Sequence, residues 1–600
     1  MYKNAQKSAY LCLKYELIHG IIIHVKTSIY MAKIKLPEDM TKDEMFTEYM
    51  KMRELLDQLS KKEQELEKKF FELEADYNDL QLRYTILNEK YLKVIAAKYQ
   101  SQKNTIVIDM PTLFDDVEEE VQKVEEEECE YTEVEGYTKH KRRPKEKHIS
   151  YDNLERKVET LSIPEGEDIC PECGSKMTIK KYEEKEELVV IPEEVYVRVT
   201  RIPVLECVNC QSVNEEGKST YVKVSHPAFL FNKSKCSAEL LAYILDMKYS
   251  VGLPLYALEK HFQKLGVEIP RQNMCNWILS SGKYLEPIYD LMKEDLLKLP
   301  VIHADETYTQ CLNEEGRPAT STSYMFVYRS PKWTSSIVLY DYEASRKGDN
   351  PKEFLKGYSG YLTTDAYAGY NKVENVTRTM CNVHALRKFK EAYKLLPKGN
   401  GRKTSEETEA IVRYQKIFEI NTEAETRAAQ KYKDLDKRIE YITKIRQKEI
   451  KPKFDEFLSW LEGLHVGRNC MNEAIQYVLN NRQGLTEFIN DGRIDISNNI
   501  TEQSIRPFVT IRNRCKFYVS TTGADVSAKI YSLVITCEQN GINPYMYFMY
   551  LFQTLPNIDL NDKEQLRNLL PYSKQLPEFT KLLSKQEIKK ILSEQPEEQK

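Results

Sequence analysis

The sequence predicts a multidomain protein of the α+β class. Its 600 residues exceed what one hydrophobic core supports, because single cores stop growing near about 250–300 residues. An apolar heptad repeat indicates a coiled coil, two Cys-x-x-Cys pairs indicate a metal-binding module, and short strands followed by aspartates indicate a sheet. Hydrophobic residues make up 41% of the chain and charged residues 30%, which is typical of folded domains. No apolar run reaches the roughly 18 residues of a membrane span, so we expect no membrane partner.

The first segment, residues 1–40, is poorly defined and has no clear amphipathic period. Charged residues interrupt its apolar stretch and no small-residue cleavage site follows, which argues against a signal peptide. We expect residues 1–30 to be dispensable or untranslated, since Met31 directly precedes the better patterned sequence. The 13 cysteines, in a chain without an export signal, indicate a reducing compartment.

Residues 41–100 carry apolar side chains at a seven-residue period, which predicts a coiled coil. One series of positions holds Met52, Leu59, Leu66, Leu73, Leu80, Leu87 and Val94, and the other holds Leu56, Phe70, Tyr77, Tyr84 and Tyr91. A helix with one apolar seam needs a partner, so we expect a homo-oligomer formed through this zipper. A long helix that packs against its own domain is the alternative.

Residues 101–160 predict a flexible linker. Carboxylates dominate residues 115–135, and lysines and arginines dominate residues 139–147. Blocks of like charge repel one another and resist packing. The basic half is also a candidate contact with DNA phosphates, although a solvated linker is the commoner meaning of such a run.

Residues 161–225 contain four cysteines at the spacing of a zinc ribbon: Cys170, Cys173, Cys207 and Cys210. Zn²⁺ prefers thiolates arranged as a tetrahedron, and Gly174 permits the tight turn after the first pair. The stretch between the pairs predicts two strands, over 188–191 and 195–199. A redox role is the alternative, although a redox pair usually stands alone at the start of a helix.

Residues 236–299 predict a helical region that includes a helix-turn-helix. Pro254 opens one helix, Gly266 ends it, and Pro270 opens the next. This order, with polar donors in the first turn of the second helix, is what a reader of the DNA major groove needs. The candidate donors are Arg271, Gln272 and Asn273. Three-helix bundles that bind no DNA share the pattern, so both interpretations stay open.

Residues 300–520 predict an α/β domain in which two strands end in aspartates. The strand over 301–304 leads into Asp305, and the strand over 361–364 leads into Asp365. In a sheet of the ribonuclease-H type, carboxylates at neighbouring strand ends converge and hold two Mg²⁺ ions for phosphodiester chemistry. A charged helical stretch over residues 398–465 is expected to be an insertion within this domain.

Glu502 is the candidate third acid of this domain. The preceding Ser-Asn-Asn sequence is a good helix start, which puts Glu502 in the first turns of a helix. A positive surface beside the acid, as a phosphate backbone requires, is supplied by Arg506, Arg512 and Arg514. Residues 525–600 predict a C-terminal helical segment.

In this order the segments resemble transposases of the insertion-sequence 66 family across nearly the whole chain. The resemblance rests on the heptads, the four cysteines, the helical region and the sequences around His303-Ala-Asp305-Glu-Thr307, Thr364-Asp365, Cys381-Asn-Val-His384, Ser497 to Pro507 and Asn540 to Tyr545. It implies a DDE-type transposase whose metal-binding triad is Asp305, Asp365 and Glu502.

The same resemblance implies the cofactors and partners. We expect Mg²⁺ or Mn²⁺ at the triad and Zn²⁺ at the cysteines, with terminal inverted repeats and target DNA as substrates. Small accessory transposition proteins are further implied partners, and the implied location is the cytoplasm, associated with the nucleoid. A non-catalytic zinc-containing DNA-binding regulator and a nuclease that cleaves without rejoining are the alternatives.

Overall fold

The computed structural model describes most of the chain from residue 156 onward and one helix before it. The described residues are 83–100, 156–163, 168–170, 172–191, 194–207, 220–397, 405–464 and 469–593, together with positions 50, 51, 58, 61, 69 and 467. The chain forms two compact units, Met1–Asn88 and Glu89–Lys600. The described positions of the first unit are helical. The second unit combines helices with two mixed sheets, which confirms the predicted α+β class.

Several predictions concern residues outside this set. The dispensable segment over 1–30, the heptad positions before residue 83, the linker up to residue 155 and Cys210 all lie outside the described residues. Within the described part of the chain, no helix combines the length and the apolar character needed to cross a bilayer.

Helix α1, residues 83–100, contains the last part of the heptad pattern. Its heptad residues Tyr84, Leu87 and Tyr91 are 67%, 67% and 55% exposed. Toward its C-terminal end, in contrast, Ile95 and Tyr99 are buried in the main hydrophobic core. The end of the predicted zipper helix therefore packs within the second unit, while its seam faces solvent.

The first sheet is built around the long strand β3. Its strands are β1 Arg156–Thr160, β2 Thr178–Ile191, β3 Glu194–Cys207 and β4 Thr220–Lys223. β2 and β4 pair antiparallel with β3, and β1 pairs parallel with it. β2 and β3 extend well beyond the predicted stretches, because charged residues of opposite sign face one another across them, as Glu184 faces Arg201 and Glu187 faces Arg198.

Three helices follow the sheet at the predicted places: α2 Ala238–Tyr249, α3 Leu255–Lys264 and α4 Arg271–Leu296. Ser237 caps α2 by accepting the Leu240 N–H, and prolines precede α3 and α4. Gly266 has a φ of 81°, a conformation that favours glycine, in the turn between α3 and α4.

The second sheet has the strand order β7-β6-β5-β8-β9, and β10 pairs with the far end of β5. The strands are β5 Val301–Asn313, β6 Thr322–Arg329, β7 Val338–Glu343, β8 Tyr361–Thr364, β9 Thr377–Met380 and β10 Tyr518–Ser520, with helix α5 Asp349–Phe354 between β7 and β8. β5, β6 and β7 are antiparallel, whereas β8, β9 and β10 run parallel to β5.

This sheet corrects the expectation that both aspartates end strands. Asp365 directly follows β8, as predicted, but β5 continues through Asp305 to Asn313. The extension exists because residues 305–310 of β5 keep pairing with β6, and β10 then pairs beyond them. Asp305 therefore projects from the middle of a central strand.

The chain between β9 and β10 forms a series of helices, and all of them except the last contribute to a second hydrophobic cluster. These are α6 Asn382–Lys394, α7 Glu406–Lys431, α8 Leu435–Ile445, α9 Lys451–Gly463, α10 Asn469–Asn480, α11 Arg482–Thr486 and α12 Asn499–Cys515, with a π-helical turn at Arg446–Ile450. Arg446 is fully buried within this cluster. It donates hydrogen bonds to the carbonyls of Phe488, Asp491 and Ile494, in the segment that leads to α12.

Helices follow β10 toward the C-terminus, and the first of them covers the edge of the second sheet. They are α13 Thr521–Gln539, α14 Pro544–Thr554, α15 Lys563–Arg567 and α16 Lys585–Ser593. The hydroxyls of Ser532 and Thr536 in α13 accept the backbone N–H groups of Tyr340 and Val338. Strand β7 therefore has partners on its outer side, so its edge is not open for pairing with another chain.

Candidate active site

Three carboxylates converge where β5, β8 and α12 meet. β5 and β8 are parallel neighbours in which His303 pairs with Thr363, so Asp305 and Asp365 leave the sheet side by side. Glu502 lies in the first turn of α12. Burial is the largest cause of a pKa of about 8 at Asp305. The negative charges of Glu306, Asp365 and Glu502 raise this pKa further, which means that the acids lie within electrostatic reach of one another.

Asp365 is held by the loop that follows β8. Its Oδ1 accepts the N–H of Tyr367 at 2.9 Å. Arg378, from β9, donates to the carbonyl oxygens of Asp365 at 2.6 Å and Tyr367 at 2.7 Å. Burial lowers the pKa of Arg378. The guanidinium therefore fixes the backbone of the loop, and the Asp365 carboxylate remains directed by a single backbone donor.

Asn498 fixes the start of α12 against the central strand. Its Nδ2 donates to the carbonyl of Ala304 at 3.0 Å, and its backbone N–H donates to Cys381 Sγ at 3.1 Å. Burial raises the pKa of the Cys381 thiol, so this sulfur is a neutral hydrogen-bond acceptor rather than a thiolate. These contacts set the distance between the Asp305 strand and the Glu502 helix.

Glu502 faces cationic and polar side chains of α6. Its Oε1 lies 3.5 Å from His384 Nε2 and 3.7 Å from Arg387 Nη2. This oxygen is buried, yet no described residue donates a hydrogen bond to it. Burial and the charge of Arg387 lower the pKa of His384. A buried carboxylate oxygen without a donor is available to a cation.

A buried pair of polar side chains, His303 and Asp495, supports the elements that carry the acids. His303 is fully buried on β5, with its Nδ1 3.1 Å from Asn498 Oδ1 and its Nε2 3.2 Å from Asp495 Oδ2. Lys332 lies 3.0 Å from the other oxygen of Asp495. Burial by itself would raise the pKa of Asp495, but His303 and Lys332 outweigh it and lower the value to about 2. The pair ties β5 to the segment before α12.

Glu306 is a fourth acid of this region, and no pattern in the sequence singled it out as a site residue. Tyr370 donates to its Oε2 at 2.6 Å, and Arg346 Nε donates to its Oε1 at 2.6 Å. Burial raises the pKa of Glu306, and these two donors oppose the shift. Because both of its oxygens have partners, Glu306 is less available to a metal than the three acids of the triad.

A pocket of about 240 Å³ opens beside Asp365. Its lining residues are Asp365, Ala366, Tyr367, His384, Arg387, Lys388, Glu391 and Tyr477. The side chains of Arg387 and Lys388 are each 49% exposed. A pocket that is lined by two half-exposed cations and by Asp365 is suited to a phosphate group that a cation bridges to the carboxylate.

Two family models match this chain. The model described as "Transposase IS66 family" matches residues 233–526, and the model described as "IS66 C-terminal element" matches residues 532–572. Together they cover more than half of the sequence. The chain belongs to the IS66 transposase family. Asp305, Asp365 and Glu502 all fall within the first matched segment.

Relatives of this IS66 family member occur in Sinorhizobium fredii. The uncharacterized protein y4qI is 29% identical over 440 residues, which cover 70% of this chain and 76% of the relative. The uncharacterized protein y4hP is 25% identical over 441 residues, covering 70% of this chain and 75% of the relative. A third relative, the uncharacterized protein y4jD, is 22% identical over 404 residues, which cover 65% of this chain and 74% of the relative.

The four-cysteine module lies outside the segments matched by the IS66 models. The sulfurs of Cys170, Cys173 and Cys207 all lie within 4.8 Å of one another. A tetrahedral Zn²⁺ site with Zn–S bonds of about 2.3 Å needs sulfurs about 3.8 Å apart, so the three thiols fit such a site. Gly174, with a φ of 69°, forms the turn beside them, and its N–H donates to the carbonyl of Cys170 at 2.9 Å.

The predicted DNA-binding residues of this IS66 chain have different surroundings. At the start of α4, Arg271 and Gln272 are exposed, whereas Asn273 is fully buried and its side chain does not reach the surface. On α12, Arg506 is exposed. Arg512 lies over the ring of Tyr308, and Arg514 donates to the carbonyl of Val251.

Proposed function

We propose that this chain is a DDE-type DNA transposase that binds the terminal inverted repeats of an insertion sequence and cleaves and joins their phosphodiesters. The proposed catalytic residues are Asp305, Asp365 and Glu502. The observation that carries the proposal is the convergence of these three acids: the register of β5 and β8 puts Asp305 and Asp365 side by side, and Glu502 lies in the first turn of the helix that packs on β5. Membership of the IS66 family supports it.

The three acids fit a site for Mg²⁺ or Mn²⁺. Carboxylate oxygens are the hard ligands that these ions prefer. The pKa of Asp305 rises because several negative charges lie close together in a buried place, and bound cations would offset that charge. Glu502 Oε1 offers a buried lone pair to which no described residue donates. Asp305, Asp365 and Glu502 would hold the cations, which when bound would supply an activated attacking oxygen and a stabilised leaving oxygen.

Residues of the chain itself orient the substrate in this proposal. Arg387 and Lys388 hold the scissile phosphate, since both line the pocket beside Asp365 and Arg387 Nη2 lies 3.7 Å from Glu502 Oε1. Arg378 and Asn498 keep Asp365 and Glu502 at fixed distances from Asp305. The attacking group is water and then a DNA 3′-hydroxyl, so no side-chain nucleophile is required.

The surrounding architecture supports a ribonuclease-H-like catalytic domain over residues 300–520. The central strand β5 carries the first acid, the parallel neighbour β8 leads into the second, and α12 packs on β5 with the third. Helices α7 to α9 occupy the stretch proposed as the insertion over residues 398–465.

The remaining modules are proposed to bind DNA and to assemble the enzyme. Arg271 and Gln272 begin a helix that follows a glycine turn, as a helix-turn-helix reader requires. Cys170, Cys173 and Cys207 would hold Zn²⁺ together with Cys210. The heptad segment would join copies of the chain, with target DNA and small accessory proteins as further partners. Such an enzyme would work at the nucleoid, in the cytoplasm.

The decisive assay is strand cleavage and joining on a labelled DNA end taken from the inverted repeat that flanks the gene, with Mg²⁺ present. We expect Asp305→Asn, Asp365→Asn and Glu502→Gln to lose turnover and keep DNA affinity, because the loss of charge affects the metal ions and not the DNA contacts. Arg514→Ala should instead weaken binding and reduce its dependence on salt.

Each outcome of this assay has a distinct meaning. Near-parental turnover in one of the three acid variants would remove that residue from the triad. DNA binding without cleavage by the parent protein would favour a non-catalytic regulator. Cleavage without joining would favour a nuclease.

A further inference from the structure

The pocket beside Asp365 has one lining residue that comes from neither the sheet nor α6. Three segments line this pocket: the loop that follows β8, helix α6 and, on α10, Tyr477. Helix α10 packs on α6, and its buried residues Ile475 and Val478 belong to the second hydrophobic cluster. The helices between β9 and β10 therefore help to form the pocket as well as to support it.

The ring of Tyr477 is held in place, and its hydroxyl is available. The ring is half-buried against the second hydrophobic cluster, and the backbone carbonyl of Tyr477 accepts the Asn481 side chain at 2.7 Å. No described residue forms a hydrogen bond with the Tyr477 hydroxyl. Because polar groups inside a protein are normally hydrogen-bonded, a hydroxyl without a protein partner in a pocket is free to bind a ligand or water.

The hydroxyl end of this ring lies within reach of the acids. Burial is the largest cause of a pKa of about 12 at Tyr477, and the negative charge of Asp365 is the next. The phenol oxygen is therefore within electrostatic reach of the Asp365 carboxylate. A phenol is protonated at neutral pH even at its ordinary pKa of about 10, so the Tyr477 hydroxyl is a neutral hydrogen-bond donor.

Donors from two helices thus line one pocket. Helix α6 supplies Arg387 and Lys388, whose side chains are each 49% exposed, and α10 supplies the Tyr477 hydroxyl. The non-bridging oxygens of a phosphodiester accept hydrogen bonds from such donors. A third cation in the place of Tyr477 would pair with Asp365 and compete with a metal ion for it, whereas a neutral donor leaves the charge of the acid in place.

We propose that Tyr477 is a substrate-binding residue whose hydroxyl donates a hydrogen bond to a non-bridging oxygen of the phosphodiester that enters the pocket beside Asp365. The inference rests on the proposed function and adds a residue of α10 to the site. Hydrogen bonds to charged groups are stronger than those between neutral groups, so the loss of this one should weaken the binding of the phosphate about fivefold or more.

The test measures whether the Tyr477 hydroxyl and one phosphate oxygen act together. The full-length protein is bound to a DNA end that contains the inverted repeat and a short flank, with Ca²⁺ in place of Mg²⁺ and a gel to check that the DNA stays uncut. A second probe carries a methylphosphonate at the junction of repeat and flank, in which a methyl group replaces one non-bridging oxygen. Its two stereoisomers are separated, so that each oxygen is replaced in turn.

Tyr477→Phe removes the hydroxyl and keeps the ring. We expect this variant to bind the ordinary DNA end about fivefold or more weakly than the parent does. On one of the two methylphosphonate isomers its effect should be less than about twofold, because the oxygen that the hydroxyl contacts is already missing. Tyr477→Leu also lacks the hydroxyl and should give the same pattern, and melting curves show whether each variant is folded.

Tyr441→Phe is the matched control. Tyr441 lies on α8, where its ring packs against that of Tyr432 with ring centres 5.8 Å apart, and it is not among the residues that line the pocket. This variant also loses one phenol hydroxyl from the helices between β9 and β10. It should bind all three probes as the parent does.

The outcomes separate this inference from the proposed function. An equal effect of Tyr477→Phe on the ordinary end and on both isomers would assign the ring a packing role, which overturns the inference and leaves the transposase proposal standing. Unchanged binding of the ordinary end by the Tyr477 variants, or equal binding of ordinary and modified ends by the parent, also overturns it. Failure of the parent to bind the DNA end at all contradicts both the inference and the proposed function.

Discussion

Two adjacent acids on β5 show how surroundings decide the role of a residue. Asp305 accepts one hydrogen bond, from the N–H of Glu306, and lies among other carboxylates. Glu306 has Tyr370 and Arg346 on its two oxygens. Because side chains alternate along a strand, the two acids have different neighbours. Asp305 lies among other negative charges, whereas the charge of Glu306 is offset by its two donors.

The raised pKa of Asp305 predicts a pH dependence for the metal-free protein. The unfolded chain binds this proton with a pKa of about 3.9, and the folded chain with a pKa of about 8. The folded state therefore holds the proton more tightly, and the stability that this gives disappears as the pH rises through about 8. We expect the unfolding free energy of the parent to fall, relative to that of Asp305→Asn, as the pH rises through the window from about 3.9 to about 8.

Denaturant unfolding at both ends of the window, with a chelator present, measures this difference. The gap between variant and parent should widen toward high pH by at least about 1 kcal/mol. Added Mg²⁺ should close the gap for the parent alone. If the unfolding free energies of the parent and of Asp305→Asn changed with pH in parallel, Asp305 would not be the acid whose pKa is raised in the folded state.

At the residue scale, the sequence singled out three acids that the structure brings together, but not all of their surroundings. Asp365 could be located because a short apolar strand ends just before it. The position of Asp305 inside β5, rather than at its end, could not be predicted, because the polar residues that follow it do not have the pattern of a strand. The contact of His303 with Asn498 joins residues 195 positions apart, and no local pattern encodes such a pairing.

At the scale of elements, the helices before α12 hold the third acid in place. Arg446 lies in the π-helical turn between α8 and α9 and donates to three carbonyls of the segment that leads to Asp495 and Asn498. Its remaining nitrogens contact Asn421 and Glu425 of α7. A buried guanidinium with five such contacts makes this helical layer a support for the Glu502 helix.

Arg446→Met tests this support. The variant leaves three buried carbonyls without the guanidinium donor and removes one of the donors to Glu425, so we expect a loss of about 3–5 kcal/mol of unfolding free energy. Arg427→Met is the matched control on α7, because Arg427 is 61% exposed and pairs with Glu423 along the helix surface. That control should change stability by less than about 1 kcal/mol. Equal losses in the two variants would contradict a supporting role for Arg446.

The cysteine module gives a prediction about metal content. Atomic absorption on the purified protein should find about one Zn²⁺ per chain, and Cys170→Ser should lose it, because a tetrahedral site loses a ligand. Cys470→Ser is the control, since Cys470 is an exposed cysteine on α10. Parental zinc content in Cys170→Ser would exclude this residue as a ligand.

Element boundaries were predictable where local chemistry marks them. Pro254 and Pro270 mark helix starts that the structure has at the same places. The lengths of β2 and β3 were underestimated, because their charged residues resemble a solvated loop until cross-strand partners such as Glu187 and Arg198 are known. Sheet order is likewise a long-range property that strand patterns do not specify.

At the scale of the whole molecule, helix α1 presents its heptad seam to solvent. Leu87, 67% exposed, is one of three large seam residues on its surface. An exposed apolar stripe of this kind is stable in water when a second helix covers it. We therefore expect sedimentation analysis to find an oligomer, and Leu87→Glu to shift it toward monomer.

Val412→Glu provides the comparison for this experiment. Val412 is 56% exposed on α7, so the variant adds the same charge at a surface position outside the heptads. Its assembly state should match the parent. A parent that sediments as a monomer, or a Leu87→Glu variant that remains fully assembled, would contradict the zipper and favour a helix that serves its own domain.

The central claim is that Asp305, Asp365 and Glu502 together bind the metal ions that cleave DNA. The most direct measurement is cleavage of a labelled inverted-repeat end by Asp305→Cys in Mg²⁺ and in Mn²⁺. Mg²⁺ demands oxygen ligands, whereas the transition metal Mn²⁺ tolerates sulfur better. The account predicts no cleavage in Mg²⁺, partial recovery in Mn²⁺, and no recovery for Asp305→Ala. Full activity of Asp305→Cys in Mg²⁺, or equal recovery of both variants in Mn²⁺, would contradict it.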